Sequence, residues 1–255
     1  MRNLTRLNFA VSAWLLSVAT VGYAAAFFGN FVVPRTIDSA AVVKFDEPLS
    51  VNLALIMLFG LQHVGMARPA FRYRTRRWIP GYAERGVYAI ASSAALILLM
   101  LLWQPMGGIV WELGGAAAAA ITALYVTGWA VVVGATLLTG HLDLLGVRAV
   151  LDVARGIPRS SPVLITRGLH RFVRQPIYLG WLLVLWSAPV MTVTRLLAAA
   201  GLTFVIVAGV LLEERELARA IPGYSQYCRK VPMLLPSLTR RLAFQEDSAA
   251  GTENG

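Results

Sequence analysis

Arginines at 171 and 174, Gln175 and Pro176 lead directly into Ile177, Tyr178 and an apolar run that ends at Trp186. A proline at the first helical position fixes a helix start, and the free N–H groups of that turn beside two guanidinium groups suit a carboxylate or a phosphate. A lone arginine at such a point also reads as a side chain snorkelling to headgroups; the second arginine three residues back argues for a binding mouth. Glu213 and Glu214 close another apolar run, where the helix macrodipole disfavours them. Either Arg171, Arg215 or Arg219 pairs with them, or one glutamate faces a cationic ligand. Adjacent helical positions point about 100° apart, so at most one of the two serves a common site.

Two further groups are capable of proton chemistry. His63 lies inside an apolar run, either as a packed neutral ring bonded to a neighbouring helix or as a functional group at membrane depth. His141 and Asp143 are two residues apart and cannot stack on one helical face. They meet only if the helix stops at Gly140, and a histidine beside a carboxylate at the membrane surface is then a proton acceptor, with ordinary interfacial polarity as the alternative reading. Tyr82, Trp78 and Tyr88 read as an interfacial aromatic belt. A pocket cationic at one lip and anionic at the other suits a zwitterionic ligand.

The elements that must carry these residues are membrane helices. The 255 residues are 57% apolar and 14% charged, with mean hydropathy +0.64, whereas soluble domains carry about a quarter charged residues. Taking about 20 residues per crossing, the spans are Phe9 to Val32, Val51 to Ala67, Val87 to Trp103, Ala116 to Leu138, Ile177 to Val190 and Leu196 to Leu212. This predicts an all-α polytopic membrane protein with about six transmembrane helices. Between Pro176 and Pro189 there is room for only roughly 20 Å of helix, so the fifth span is short, tilted or in a hairpin with the sixth. The first span has Arg2 and Arg6 before it and an Ala24–Ala26 run that resembles a leader cleavage site, but its apolar stretch continues to Val33, so it is expected to be retained.

Lysine and arginine alternate by loop. Two precede the first span, six lie in 68–86, six in 139–176 and six after 212, leaving Arg35, Lys44 and Arg195 for the other loops. The positive-inside rule then puts both termini and the two large loops in the cytoplasm, with the protein in the cytoplasmic (inner) membrane. The net charge of +10 is explained by anionic headgroups, and no nucleic-acid partner is expected. The single cysteine, Cys228, excludes an intramolecular disulfide, and the three histidines have no metal-ligand spacing, so no metal is expected. One integral-membrane domain over 1–242 and a disordered polar tail over 243–255 complete the organisation.

The segment Gly168-Leu-His-Arg-Phe-Val-Arg-Gln-Pro-Ile-Tyr-Leu-Gly180, then Glu213-Glu214, then Pro222-Gly-Tyr224-Ser-Gln-Tyr227 and Val231-Pro232, resembles the C-terminal signature of the isoprenylcysteine carboxyl methyltransferase-like superfamily. Leu61-Gln62-His63, Met66-Ala-Arg68-Pro69, Glu84-Arg85 with Tyr88, Trp103-Gln104-Pro105-Met106 and His141-Leu-Asp143-Leu-Leu-Gly146 narrow the resemblance to its methanethiol S-methyltransferases, related to the NnrU-type membrane proteins. The sequence departs from the signature twice: His170 stands where the superfamily has tyrosine, and Gln175 where it has the histidine of Arg-His-Pro. Glutamine still donates and accepts hydrogen bonds but is no base near neutral pH.

The resemblance implies S-adenosylmethionine as cofactor in a cytoplasmic pocket and a small volatile thiol as substrate. It implies cofactor contacts from Arg174, Gln175, Pro176, Tyr178, Gly180, Glu213, Glu214, Tyr224 and Tyr227. Arg174 would meet an anionic or polar part, one glutamate the positive or hydroxyl groups, Gly180 would allow close backbone approach, and the tyrosines would wall the ligand. The thiol must reach the thiolate form, a task assigned to His141 oriented by Asp143, with His63 as second candidate. Two other readings share these residues: a methyltransferase for a larger lipidic acceptor, and a non-catalytic membrane protein. The oligomeric state is left open.

Overall fold

The computed structural model describes residues 2–41, 44–140, 142, 147–155, 157, 164 and 166–236. The expected tail over 243–255 lies outside them, as do His141 and Asp143. The helices are α1 (Arg2–Gly29), α2 (Pro48–Ala67), α3 (Pro69–Thr75), α4 (Glu84–Leu102), α5 (Gly115–Thr139), α6 (Val147–Ala154), α7 (Pro176–Trp186), α8 (Val193–Ala220) and α9 (Tyr224–Lys230). Five of them, α1, α2, α4, α5 and α8, are long and apolar enough to cross a membrane, and α7 is a shorter apolar helix. Their faces are apolar nearly all round because lipid rather than water is the outer solvent.

Contacts between neighbours fix the direction of each crossing. Along α2 and α8, Ile56 meets Gly201, Gly60 meets Val205 and Val64 meets Gly209, so these helices run parallel, four residues per step. Ser17 Oγ lies 3.3 Å from Ser93 Oγ and Phe9 packs on Gly86, which makes α1 and α4 parallel too. The buried Asn52 side chain receives the Gln104 N–H at 2.8 Å and donates to the Gln104 carbonyl at 2.7 Å, setting α2 antiparallel to α4. These registers collect 68–84, 167–176 and 213–236 at one end of the bundle.

The opposite end is a polar scaffold. Arg35, 8% exposed, donates to the carbonyls of Met100, Trp103 and Ala40 at 2.8–2.9 Å, capping the C-terminus of α4 as a cation should. Asp38 accepts from Arg195 Nε and Thr192 Oγ1, both at 2.7 Å. Two short strands, β1 (Ile109–Glu112) and β2 (Val190–Thr192), pair antiparallel there. This ribbon was not visible in the apolar pattern of the sequence. Two of the three cations of that side are thus consumed by internal structure.

Helix α7 covers only part of a bilayer. Its eleven residues give about 16 Å of rise, and the non-helical Ser187–Pro189 carries the chain on to β2. It packs chiefly against α5 and also against α8, to which Trp186 Nε1 is tied through Thr203 Oγ1 at 3.0 Å. The contact with α5 is backbone-close: a Cβ on Gly180 would lie 2.8 Å from Gly128 O and 2.9 Å from Val132 N. Small residues allow this approach where no hydrophobic force drives helices together in lipid. Gly180→Ala is therefore expected to destabilise by about 2 kcal/mol through overpacking, read as a lower unfolding midpoint in detergent.

The first helix ends earlier than its apolar run. It stops at Gly29, and the chain turns back through left-handed Asn30 (φ 59°) and Val32 (φ 65°). Phe31 to Val33 therefore line the turn and do not extend the span.

Candidate functional site

The end of the bundle that gathers the arginines also gathers the polar side chains. The backbone leading into α7 is zipped to the C-terminal segment, with Arg174 N donating to Pro232 O at 2.9 Å and Gln175 N to Met233 O at 3.1 Å. Between them the Arg174 guanidinium reaches α8: Nε and Nη2 donate to the two oxygens of Glu214, each at 2.7 Å. Nη1 donates to the carbonyls of Cys228 and Val231 at the end of α9. Both partners are mostly buried, 10% and 15% exposed as side chains. Burial lowers the arginine's proton affinity, but the bonds to Glu214 outweigh it and the net direction is upward.

In this structure the Arg174 fork is filled by Glu214 and two carbonyls, which latches the C-terminal segment to α8. None of Arg171, Arg215 and Arg219 is the partner of this glutamate. Tyr224 and Tyr227 belong to the same latch. Both are buried with Ile221 and Val231, and Leu164, Leu217 and Cys228 pack on them; Tyr227 donates to His170 O at 2.6 Å. Burial drives the Tyr227 phenol up to about 12. They wall the latch. Pro176 is fully buried at the first position of α7, Gln175 is 8% exposed beneath it, and Gly180 faces α5, where the sequence reading placed a ligand.

His170 adds a pH-sensitive element. Its Nδ1 donates to the Arg174 carbonyl at 3.1 Å, which leaves Nε2 as a buried lone pair with no partner. Burial holds its proton affinity below the ordinary 6.5, partly offset by that hydrogen bond. As pH falls the unfolded chain takes this proton first, so the stability is present above about 6.5 and is lost as pH falls from there toward the folded value. The unfolding midpoint should drop on acidification, and His170→Gln should shrink that drop.

The two glutamates diverge. Glu213 turns toward Tyr178, whose hydroxyl donates to Oε2 at 3.0 Å, and Tyr88 of α4 lies within the electrostatic reach of the same carboxylate. The α2–α8 seam sets this meeting. One turn beyond the Val64 and Gly209 contact, Arg68 Nη1 pairs with Glu216 at 3.2 Å, and Glu213 lies one turn past Gly209.

On the α2 side His63 stacks on Phe59 with ring centres 5.1 Å apart. Its two ring nitrogens stand 3.1 and 3.0 Å from Tyr88 Oη, and Nδ1 is 3.2 Å from Ser92 Oγ. Gln62 Nε2 donates weakly to the same Ser92 oxygen at 3.3 Å, while Gln62 Oε1 is buried without a partner. Tyr88 is therefore part of an internal network and not of an outer belt. Sequence reasoning missed Ser92 and gave Tyr88 and Gln62 no part in this network. The available signal was the four-residue step from Tyr88 to Ser92, which puts two hydroxyls on one face of α4.

The arrangement offers acceptors to a donor-rich ligand and an imidazole with adjustable hydroxyl partners. Glu213 accepts one hydrogen bond among the described residues and keeps its second oxygen. Among the described residues no cluster of metal-ligating side chains occurs.

Fold and site together define a polytopic membrane protein in which one end of the bundle, built from α2, α4, α7, α8 and the C-terminal segment, brings together Arg174, Glu213, Glu214, Tyr178, Tyr88 and His63. The chain is 36% identical over 238 residues to a methanethiol S-methyltransferase of Mycobacterium tuberculosis, covering 92% of this chain and 98% of that protein. It is 36% identical over 236 residues to methanethiol S-methyltransferase 2 of Bradyrhizobium diazoefficiens, covering 92% and 91%. With the methanethiol S-methyltransferase of Pseudomonas deceptionensis it shares 38% identity over 220 residues, covering 86% and 84%. The chain belongs to the methanethiol S-methyltransferase family. No protein-family model and no solved structure matches it.

Proposed function

We propose that this protein transfers a methyl group from S-adenosylmethionine to a small thiol, methanethiol giving dimethyl sulfide, at the arginine-rich end of the bundle on the cytoplasmic side of the inner membrane. The observation that carries the reading is the placement on the parallel helices α8 and α2 of Glu213, with acceptor capacity to spare, and of His63, which is bonded to the Tyr88 hydroxyl that lies within reach of the Glu213 charge. Unsatisfied buried acceptors are costly unless a donor meets them. Glu213 and the orphan Gln62 Oε1 suit the ammonium and hydroxyl groups of such a cofactor, so the residues fit it. The cofactor supplies an electrophilic methyl on a sulfonium, whose positive charge also favours a thiolate beside it.

The chain's own residues do the rest. Glu213, held by Tyr178, accepts from the cofactor's positive or hydroxylated part. His63 takes the thiol proton, with Tyr88 and Ser92 orienting the ring through its nitrogens. The phenyl ring of Phe59 gives the small apolar acceptor a dry wall. Alignment of donor and acceptor accounts for much of the barrier reduction in such transfers. An apolar thiol reaches this site from the bilayer, which is reason enough for a membrane scaffold.

The test is headspace gas chromatography of membranes supplied with methanethiol and S-adenosylmethionine. Dimethyl sulfide should form with the wild-type chain and be lost in Glu213→Ala. Wild-type membranes that make none, with the protein present and folded, would refute the reading.

A further inference from the structure

The segment between α2 and α4 carries Arg72, Arg74, Arg76 and Arg77 in quick succession. Arg68 is extended (φ −73°, ψ 142°), as a residue before proline must be, so α2 stops and α3 departs at a new angle. Local bonds then order the segment: Arg72 N donates to Arg68 O, and Trp78 N and Ile79 N both donate to Thr75 O. Phe71, Thr75 and Ile79 form a half-buried inner stripe, while Arg72, Tyr73, Arg74, Arg76, Arg77 and Trp78 are exposed.

Pro69, Arg72, Tyr73 and Arg76 line one recess, and Tyr73, Arg74, Arg76, Arg77 and Trp78 line a second that shares Tyr73 and Arg76 with it. The first set has the i, i+3, i+4, i+7 spacing of one helical face, so two guanidinium groups flank an exposed tyrosine ring one turn apart. The Arg77 guanidinium stands 3.9 Å over the Trp78 ring. Among the described residues no carboxylate pairs with Arg72, Arg74, Arg76 or Arg77.

We propose that this segment is a binding site for an anionic phospholipid. Guanidinium forks match phosphodiester oxygens in a bidentate way, and tyrosine and tryptophan rings settle at headgroup level. Four like charges within six residues repel one another until an anion joins them. The flanking spans, each ending within a few residues, hold the segment at the depth of the lipid phosphates, which selects a lipid over a soluble polyanion. Because Arg68 also pairs with Glu216, a lipid seated here touches the helix break next to the functional end.

The test is native mass spectrometry of the detergent-released full chain titrated with phosphatidylglycerol or phosphatidylcholine. The wild-type chain should retain the anionic lipid in preference. Arg72→Gln/Arg76→Gln, which leaves Arg74, Arg77 and Arg85 to keep the orientation, should weaken that retention by roughly tenfold. Equal retention of the two lipids by the wild-type protein would overturn the proposal whatever the variant does. So would undiminished binding by a variant with a wild-type unfolding midpoint, or displacement of the lipid by excess inorganic phosphate.

Discussion

Arg174→Ala should cost about 3 kcal/mol of stability, because it strands the Glu214 carboxylate in a mostly buried position. The guanidinium joins three pieces that are far apart in sequence: the start of α7, the C-terminal half of α8 and the end of α9. Each loses its tie in the variant. The C-terminal segment should become sensitive to limited proteolysis near 222–233, and the unfolding midpoint should fall. Arg174→Lys keeps a charge but not the fork, so it should recover only part. The decisive comparison is Arg174→Met with Glu214→Leu. Replacing both members of a buried pair by apolar groups of similar size is often neutral or stabilising. The double variant should therefore return most of the stability. A ligand-binding role for Arg174 without a latching role predicts no loss in the absence of ligand and no recovery in the double variant.

His63→Ala should lower methyl transfer by about a hundredfold at neutral pH, the low end of what a positioned proton acceptor contributes. The pH profile separates this from damage to packing. A simple alkanethiol ionises above the range near 8.5 that is usual for cysteine, so raising the pH supplies thiolate without help. The His63→Ala rate should climb toward that of the wild type as pH rises past about 9, while a merely misfolded variant stays low throughout. Tyr88→Phe leaves the ring but removes one partner of both imidazole nitrogens. Its defect should be smaller and should follow the same pH dependence.

The crossings were legible in the sequence because two independent signals agree: apolar length and the alternation of arginine between loops. The brevity of α7 was legible from its two prolines. What the sequence could not reveal was pairing at a distance. Arg174 and Glu214 were each singled out, yet forty positions separate them, and only the fold shows that they answer one another. The neighbouring pair, Glu213 and Glu214, looked alike in sequence; the 100° between adjacent positions sends one to Tyr178 and the other to Arg174. Tyr88 reads as an interfacial ring because it opens a span, and its inward turn depends on which face α2 presents. Gly180 was legible as a point of close approach, but its neighbour is the backbone of α5. Phe31 to Val33 mislead because apolar residues serve a turn at the bundle's end as well as a helix.

Calorimetry of S-adenosylhomocysteine binding to the detergent-purified chain, wild type against Glu213→Gln, tests most directly whether this end of the bundle holds the methyl donor. Saturable binding that weakens by at least about tenfold in the variant, the usual effect of removing a charged hydrogen-bond acceptor, is the predicted result. Equal affinity in both, or no binding to a folded wild-type protein, would contradict the account.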